Sequence, residues 1–271
     1  MHIHTQGARV LFDDPRMVRD YLQYRGLTEP QWFEYARLVR SAIRDCALPT
    51  RALDLGCGPG TFAVPLTTLT ESISEVVAVD ESEEMLDQLT RNFSPVGASR
   101  LTTLKTIHGD FLEDSVATEI GGGFGLVVLS EVIHLIASPR SAVAAAARFL
   151  SPRGAILLRT STPEQLAACE WYQFFPEALL IDQERHHREH DLVGMLGDAG
   201  LTTEVAVVRE HREWPVAEYV SKFRARPTSS LRLITPQSFN IGLANLIEST
   251  SSLTHVSQFR DMTVVIGRQA R

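Results

Sequence analysis

Cysteine is scarce in this chain of 271 residues, and its three copies, Cys46, Cys57 and Cys169, lie far apart. No two of them form a Cys-x-x-Cys pair, so the zinc and dithiol redox sites built on that spacing are not expected. An odd number of widely separated cysteines is typical of a protein whose thiols stay reduced. The cysteine pattern therefore predicts a cytoplasmic location.

Long apolar runs and an excess of positive charge are also missing. No run of about 18 apolar residues occurs, and residues 1–6 lack the basic-then-apolar order of a secretory signal, so no membrane partner is expected. The formal net charge is −7. Binding to the phosphates of nucleic acid requires clustered Lys and Arg, so a nucleic-acid partner is not expected either.

Two common catalytic signatures are absent as well. Without a Gly-x-Ser-x-Gly elbow, a Ser-His-Asp hydrolase is disfavoured, and no His-Glu-x-x-His zinc motif occurs. His186, His187 and His190 form a local cluster, in which the first and last would share a face of one helix. Transition-metal sites usually need further ligands from elsewhere. The sequence predicts no metal site, and we expect these histidines at a polar lid edge or against an acceptor.

The most informative segment that is present covers residues 52–60, Ala-Leu-Asp-Leu-Gly-Cys-Gly-Pro-Gly. Glycines at alternate positions, Gly56, Gly58 and Gly60, let a strand turn sharply into a helix while the backbone approaches a ligand. Asp54 places a negative charge where the pyrophosphate of a dinucleotide would lie. The carboxylate and the glycine spacing therefore disfavour an NAD(P)-dependent oxidoreductase and favour a nucleoside with a cationic amino-acid tail.

Two further segments follow in the order expected for a nucleoside site. Asp80 ends an apolar run at 76–79, 20 residues after Gly60. At the carboxyl edge of the neighbouring strand, its carboxylate could accept hydrogen bonds from two ribose hydroxyls. A third apolar run ends in His108-Gly109-Asp110-Phe111.

These segments closely resemble the motifs of the class I S-adenosylmethionine-dependent methyltransferases, firmly over residues 51–158 and loosely elsewhere. The resemblance implies S-adenosyl-L-methionine as cofactor and an α/β fold, with a doubly wound, mostly parallel seven-stranded Rossmann-like sheet and helical lid insertions. It places residues near 81–85 and the Gly-Asp-aromatic segment beside the adenine, and Arg25 within reach of the methionine carboxylate, although an exposed linker role for Arg25 stays open. The implied cofactor-binding set is Arg25, Asp54, Gly56, Cys57, Gly58, Gly60, Asp80, Glu81, Met85, Gly109, Asp110, Phe111 and Ser130.

The alternation of strand and helix patterns predicts the domain organisation. Residues 1–50 form an N-terminal helical lid segment, and residues 51–271 form the cofactor-binding domain with lid insertions at about 161–190 and 214–257. Within that domain we expect a helix at 61–69, a turn at 151–154 before the fifth strand, and closing strands at 201–208 and 262–266.

His134 is the candidate general base. It follows the fourth predicted strand, whose carboxyl end faces the ligand crevice where the strand order reverses. An imidazole titrates near neutral pH and can accept a proton there, although a packing role beneath the cofactor is the alternative. Glu131 and Arg159 would lie in the same crevice. Each is a candidate acceptor contact, but Glu131 could instead cap a turn and Arg159 could instead form a structural ion pair.

A local concentration of aromatic residues follows the fifth strand. Four of the five residues at 171–175 are aromatic, and we expect Trp171, Tyr172 and Phe175 to contribute to an apolar acceptor pocket. The predicted function is methyl transfer to an oxygen or nitrogen of a small-molecule acceptor by a monomer or homodimer. The alternative is a protein that binds S-adenosylmethionine without transferring its methyl group, as a cyclase-like catalyst or a ligand-controlled interaction protein.

Overall fold

A twisted sheet organises the part of the chain that the computed structural model describes, residues 15–69, 71–93 and 102–269. The strand order is β3-β2-β1-β4-β5-β7-β6, with β7 antiparallel to both of its neighbours and the other pairs parallel. This confirms the predicted doubly wound, mostly parallel sheet of seven strands. The strands are β1 (Thr50–Leu55), β2 (Ile73–Asp80), β3 (Thr103–His108), β4 (Phe124–Ser130), β5 (Leu150–Thr160), β6 (Leu201–Pro215) and β7 (His255–Gln269).

Helices cover both faces of the sheet. Successive side chains of a strand point to opposite faces, and in β1 both Ala52 and Leu53 are fully buried, in two different apolar clusters. Burial on both faces explains why these strands read as continuous apolar runs. The helices are α1 (Pro15–Arg25), α2 (Glu29–Ala42), α3 (Ala63–Leu66), α4 (Glu83–Asn92), α5 (Asp114–Ile120), α6 (Pro139–Arg148), α7 (Pro163–Ala167), α8 (Pro176–Arg185), α9 (Glu189–Asp198), α10 (Val216–Arg224), α11 (Ser229–Leu233) and α12 (Pro236–Thr250).

The predicted helix at 61–69 is shorter than expected, because only α3 is helical there. After α3 the backbone continues in turns that bond three residues back instead of four. The hydroxyls of Thr67 and Thr68 also donate to the carbonyls of Val64 and Pro65. Local side-chain bonds of this kind compete with a regular helix, so the apolar pattern overestimates its length.

The predicted turn at 151–154 is wrong, because that segment is an irregularity inside β5. Phe124 pairs with Leu150 and Leu126 pairs with Ala155, so one residue of β4 lies opposite four residues of β5. The extra residues bulge from the strand and pairing resumes beyond them. A proline and a glycine therefore mark a bulge here rather than a chain reversal.

The closing strands β6 and β7 are longer than predicted. They pair along their full length, from Leu201 opposite Gln269 to Pro215 opposite His255. The outer part carries charged side chains, such as Arg209 opposite Asp261. The outer halves of β6 and β7 form a polar two-stranded ribbon that contains no apolar run. The apolar pattern therefore predicts only the inner half of each strand.

Two groups of helices pack into one apolar cluster beyond the sheet. One group, α7 and α8 with a short 3₁₀ segment between them, follows β5, and the other, α10 to α12, connects β6 to β7. Trp171 and Phe175 from the first group share this cluster with Tyr219, Phe223 and Phe239 from the second. Within the described ranges, none of these or the remaining helices is long and apolar enough to cross a membrane.

Candidate functional site

A cavity of about 590 Å³ lies at the carboxyl edge of the sheet, where β1 and β4 are neighbours. The turns after β1, β2, β3 and β4 line one side, and α1 and the two helical groups line the other. Gly60 and Phe175 are not among its lining residues. The sequence-predicted residues that do line it are Arg25, Asp54, Gly56, Cys57, Gly58, Asp80, Glu81, Met85, Gly109, Asp110, Phe111, Ser130, Glu131, His134, Arg159, Trp171 and Tyr172.

The three glycines of the turn after β1 have positive φ angles, and they serve two different purposes. A Cβ atom at Gly56 would lie 2.4 Å from Val132, and one at Gly60 would lie 2.8 Å from Val64. These two glycines therefore allow close packing of the turn against its neighbours. A Cβ atom at Gly58 would meet no atom within 4 Å. Since Gly58 lines the cavity, its missing side chain leaves room for a ligand.

Asp80 is fixed against this turn by backbone donors. Its Oδ2 accepts a hydrogen bond of 2.8 Å from the Gly58 N–H, and its Oδ1 accepts one of 3.0 Å from the Ser82 N–H. Ser82 is also the N-cap of α4, where its hydroxyl accepts from the Met85 N–H at 3.3 Å. The carboxylate therefore has one orientation at the cavity wall, between the glycine turn and α4.

Asp54 provides a second carboxylate, and its environment is different. The side chain is buried, and its Oδ2 atom has no hydrogen-bond partner in the part of the chain that the structure describes. Burial raises the pKa of Asp54 to about 7, opposed by a hydrogen bond from the Ala63 backbone and reinforced by the charge of Asp80. A buried carboxyl oxygen without a donor, beside open space, fits a ligand that brings a positively charged donor. Together with Gly58 and Asp80, it fits a nucleoside with an ammonium tail.

The segment after β3 forms another part of the same wall. Gly109 has a φ angle of +142° and its N–H donates to the carbonyl of Asp80 at 2.9 Å. Asp110 Oδ1 accepts from the Leu112 N–H at 2.8 Å, and Phe111 is buried. Across the cavity, Val18 and Tyr21 of α1 pack on Met85. The described part of the N-terminal segment therefore lies over the predicted adenine region.

His134 lies in a 3₁₀ turn, Ile133–Leu135, directly after β4. Its ring stacks on that of His186, with centroids 3.9 Å apart and planes inclined by 17°. His186 Nδ1 lies 2.7 Å from the carbonyl of Asp182, whereas His134 Nδ1 is buried and finds no hydrogen-bond partner among the described residues. Burial and the neighbouring His186 hold the pKa of His134 well below 6.5. His134 is therefore neutral at neutral pH and can accept a proton.

The expected pairing of His186 with His190 on one helix is wrong. His186 is the C-cap of α8, and His190 belongs to the next helix, α9. A different set, Glu131, His134 and His186, places one potential metal-ligand atom each within 4.8 Å of the others. Two guanidinium groups on Glu131 oppose a cation there.

Glu131 has an unusual backbone and strong ionic partners. Its φ angle is +57°, and its Oε2 accepts from Arg25 Nη2 at 2.9 Å and from Arg260 Nη2. Burial opposes ionisation, but Arg260 and Arg25 hold the pKa of Glu131 well below its usual range. Its Oε1 atom is buried, and no described residue donates a hydrogen bond to it. Arg25 thus reaches the cavity, but its guanidinium is bound to Glu131.

Arg159 forms a buried ion pair with Glu210 on β6, while its Nη1 donates to Ser130 Oγ at 3.1 Å. The Tyr35 hydroxyl also donates to Glu210, at 2.7 Å. Of the two roles that the sequence left open for Arg159, this geometry favours the structural ion pair. Glu210 escaped the sequence analysis because it lies in the polar part of β6, 51 residues along the chain.

The aromatic segment is divided between the cavity and the interior. Trp171 stacks on Tyr172 with centroids 3.6 Å apart, and both line the cavity. The Tyr172 hydroxyl donates to Asp182 at 2.6 Å. Phe175 is 1% exposed and packs between Phe223 and Phe239, so it belongs to the core of the lid and not to the predicted pocket wall.

Several cavity residues have no counterpart in the sequence analysis. Arg212, Trp214, Lys222, Gln258 and Arg260 all line the cavity from β6, α10 and β7. They come from the second predicted insertion and its flanking strands. The sequence gives one hint toward Lys222, because lysine is rare in this chain and Lys105 is the only other one.

Comparisons with known proteins agree with this geometry. The chain matches the family model described as a methyltransferase domain over residues 31–205. It is 35% identical over 127 residues to an uncharacterized 37.1 kDa protein of transposon Tn4556 from Streptomyces fradiae, covering 45% of this chain and 34% of the relative. It is 27% identical over 164 residues to a ubiquinone biosynthesis O-methyltransferase from Xanthomonas axonopodis, covering 57% of this chain and 63% of the relative. The chain therefore spans less than two thirds of either relative.

Solved structures show the same fold. YcgJ from Bacillus subtilis aligns with a TM-score of 0.57 at 15% identity, over 87% of this chain and 97% of that one. YjhP from Escherichia coli aligns with a TM-score of 0.52 at 18% identity, over 95% and 100%. The [4+2]-cyclase SpnF aligns with a TM-score of 0.51 at 14% identity, over 86% and 80%. The family match over more than half of the chain, together with the sheet order, shows that this protein belongs to the class I S-adenosylmethionine-dependent methyltransferase family.

Proposed function

We propose that this protein transfers the methyl group of S-adenosylmethionine to an oxygen or nitrogen of a small-molecule acceptor, with His134 as general base. The observation that carries the proposal is the neutral, partly buried His134, which lines the same cavity as the glycine turn and whose Nδ1 atom has no hydrogen-bond partner among the described residues. A base in this position would remove the acceptor's proton as the new bond forms. The Xanthomonas relative is named an O-methyltransferase, which favours oxygen.

The residues that line the cavity would have different roles, according to where they lie in it. Gly58 and Asp80 would hold the nucleoside, and Asp54 would face the ammonium of the methionine tail. When bound, S-adenosylmethionine supplies an electrophilic methyl group, whose bond to sulfur breaks, leaving the electron pair on sulfur, as the acceptor's lone pair bonds to carbon. His134 would take the proton that the acceptor loses. Holding the two reactants in line contributes to the rate in addition to the base.

A separate role is proposed for the lid segments of the same site. Residues 1–50 and the two insertions, at about 161–190 and 214–257, would enclose the acceptor and exclude water. The described parts of all three regions line the cavity, through Tyr24, Trp171 and Lys222 among others. Excluding water strengthens every polar interaction inside the site.

His134→Ala tests the proposal. Turnover of an accepted phenol or amine, followed by the mass increase of one methyl group, should fall by about 10²–10⁴-fold. Affinity for S-adenosylmethionine should stay within about twofold of wild type, because the cofactor half of the site is untouched. The exposed His190 lies 3.3 Å from Asp191 and does not line the cavity, and His190→Ala is the matched control with unchanged turnover.

The pH dependence gives a second readout. Because the pKa of His134 lies below 6.5, the wild-type rate should climb with pH below that value and level off above it, and His134→Ala should lose this limb. Near-wild-type turnover in the variant would remove His134 from proton transfer. Loss of cofactor binding would assign it to the cofactor instead, and binding without any methylated product would favour a non-transferring protein.

A further inference from the structure

Lys222 carries a buried side-chain amine that has no acidic partner among the described residues. It is 8% exposed, lines the cavity, and its Nζ donates to Gln258 Oε1 at 2.6 Å. Within the described ranges, no carboxylate oxygen lies within 4.0 Å of that nitrogen. A buried ammonium is normally paired with an acid or loses its proton, because desolvation disfavours its charged form.

Aromatic rings surround the same ammonium. Its Nζ lies 4.8 Å from the Trp214 ring centroid and 5.6 Å from that of Phe223. Cation–π contacts are weak compared with the desolvation of an ion, so they do not replace a counter-ion. Trp214 Nε1 is itself a buried donor, with no hydrogen-bond acceptor within residues 15–69, 71–93 and 102–269.

The other cations of the cavity show what Lys222 lacks. Arg159 is paired with Glu210, and Arg25 and Arg260 share Glu131. The guanidinium of Arg212 lies 4.7 Å from the Trp214 ring and donates to two backbone carbonyls, those of Gln23 and Gly26. Two positive groups thus adjoin one tryptophan in the described structure with no acid bonded to either.

The surroundings of Lys222 reinforce this imbalance. Burial, and then the positive charges of Arg25, Arg212 and Arg260, hold the pKa of Lys222 well below 10.5. A ligand that brings a negative charge would reverse this effect and restore the ammonium. The site is therefore better matched to an anion than to the neutral molecules that an apolar pocket would accept.

We infer that the methyl acceptor carries an anionic group, a carboxylate or a phosphate, that binds to Lys222 and Trp214 at the lid end of the cavity. An ammonium has three donors, of which Gln258 takes one, and the indole N–H adds another. Trp171, Tyr172 and Phe223 line the cavity beside them and suit an apolar or aromatic body. The acceptor class is thus an aromatic or apolar acid. This inference rests on the proposed function, because it assigns the acceptor of that same site.

The test is a binding comparison with probes of one size. Protein saturated with S-adenosylhomocysteine is titrated with benzoate, phenyl phosphate and neutral benzamide. Charge-assisted hydrogen bonds imply that at least one of the anions binds about 10-fold or more tightly than benzamide. In Lys222→Met this preference should fall to about twofold or less, whereas Lys105→Met, at the exposed lysine paired with Glu119, should keep it. Whether benzoate or phenyl phosphate shows the larger preference identifies the anionic group.

A second measurement uses the wild-type chain, in case Lys222→Met does not fold. With two lysines in the sequence, a sample labelled with ¹³C at the lysine ε carbon gives two side-chain signals by NMR. Addition of the bound anion should shift the Lys222 signal and raise its titration midpoint, while the Lys105 signal stays in place. Equal binding of anions and benzamide, an anion preference that survives in folded Lys222→Met, or an unmoved Lys222 signal would each overturn the inference. Failure to bind S-adenosylhomocysteine would count against the proposed function instead.

Discussion

At the scale of single residues, Asp80 connects the glycine turn to α4, and its removal should weaken cofactor binding. In Asp80→Ala the backbone donors of Gly58 and Ser82 lose their acceptor, and the ligand loses a charged one. Each charge-assisted hydrogen bond contributes about 1.5–3 kcal/mol, so affinity for S-adenosylmethionine should drop at least about 10-fold. Calorimetric titration measures this affinity. The control is Asp87→Ala, at an exposed position of α4. Unchanged affinity would place the nucleoside elsewhere.

Asp54 should couple cofactor binding to proton release. Its pKa of about 7 means that the carboxyl is roughly half protonated at neutral pH before the ligand arrives. A positively charged ligand favours the carboxylate, so wild type should release about half a proton more than Asp54→Asn on binding at pH 7.

Calorimetry in two buffers of different ionisation enthalpy gives the proton count for each protein. The ionisation of the ligand's own amine is common to both and cancels in the difference. Equal proton counts would show that Asp54 does not face the charged tail.

The cavity residues near the glycine turn could be predicted from the sequence, whereas only some of those on the lid side, such as Trp171 and Tyr172, could be. Asp54 and Asp80 lie at the carboxyl ends of β1 and β2, and Gly58 lies in the turn after β1, so local pattern and sheet geometry are enough to place them. Lys222 and Glu210 reach the cavity only because the β6–β7 ribbon brings them there. No local pattern indicates that contact.

At the scale of elements, the helical groups of the lid contain aromatic residues with two different roles. Trp171 lines the cavity, so Trp171→Ala should raise the acceptor's KM several-fold with little change in cofactor affinity. Phe175 lies in the lid core, so Phe175→Ala should lower the free energy of unfolding by about 3–5 kcal/mol. Steady-state kinetics and denaturant unfolding on both variants separate the two effects. A selective KM effect from Phe175→Ala, without loss of stability, would contradict the assignment.

Element boundaries show where apolar patterning is reliable. The inner strands are buried on both faces, and their apolar runs predicted them well. The bulge in β5 lacks an apolar run because it contains turn-forming residues. The outer half of the β6–β7 ribbon lacks an apolar run because it carries many charged side chains. The N-cap of α4, Ser82, is by contrast a local feature, since a cap depends on the next three residues alone.

At the scale of the whole molecule, buried neutral histidines should make the fold sensitive to acid. The pKa values of His134 and His186 are lowered, chiefly by burial, from 6.5. Below that pH the unfolded chain binds more protons than the folded one, so the free energy of unfolding falls as pH falls. Each such histidine contributes about 1.4 kcal/mol per pH unit.

His134→Phe should therefore show a shallower loss of stability between about pH 6 and 5 than wild type does. Urea unfolding at several pH values measures the slope. Asp54 acts in the opposite direction, since its pKa is raised, but it is present in both proteins. Parallel slopes would show that the folded state accommodates a proton on His134.

The packing of the lid limits how its two insertions can be exchanged between related proteins. Buried Asp182, from the insertion after β5, accepts hydrogen bonds from Tyr172 and from Ser230 of the insertion between β6 and β7. A graft of either insertion alone would remove the hydrogen bond between Ser230 and Asp182 from a core shared by both insertions. The two segments are thus one module encoded in two places. A chimera intended to accept a new acceptor must import both of them together.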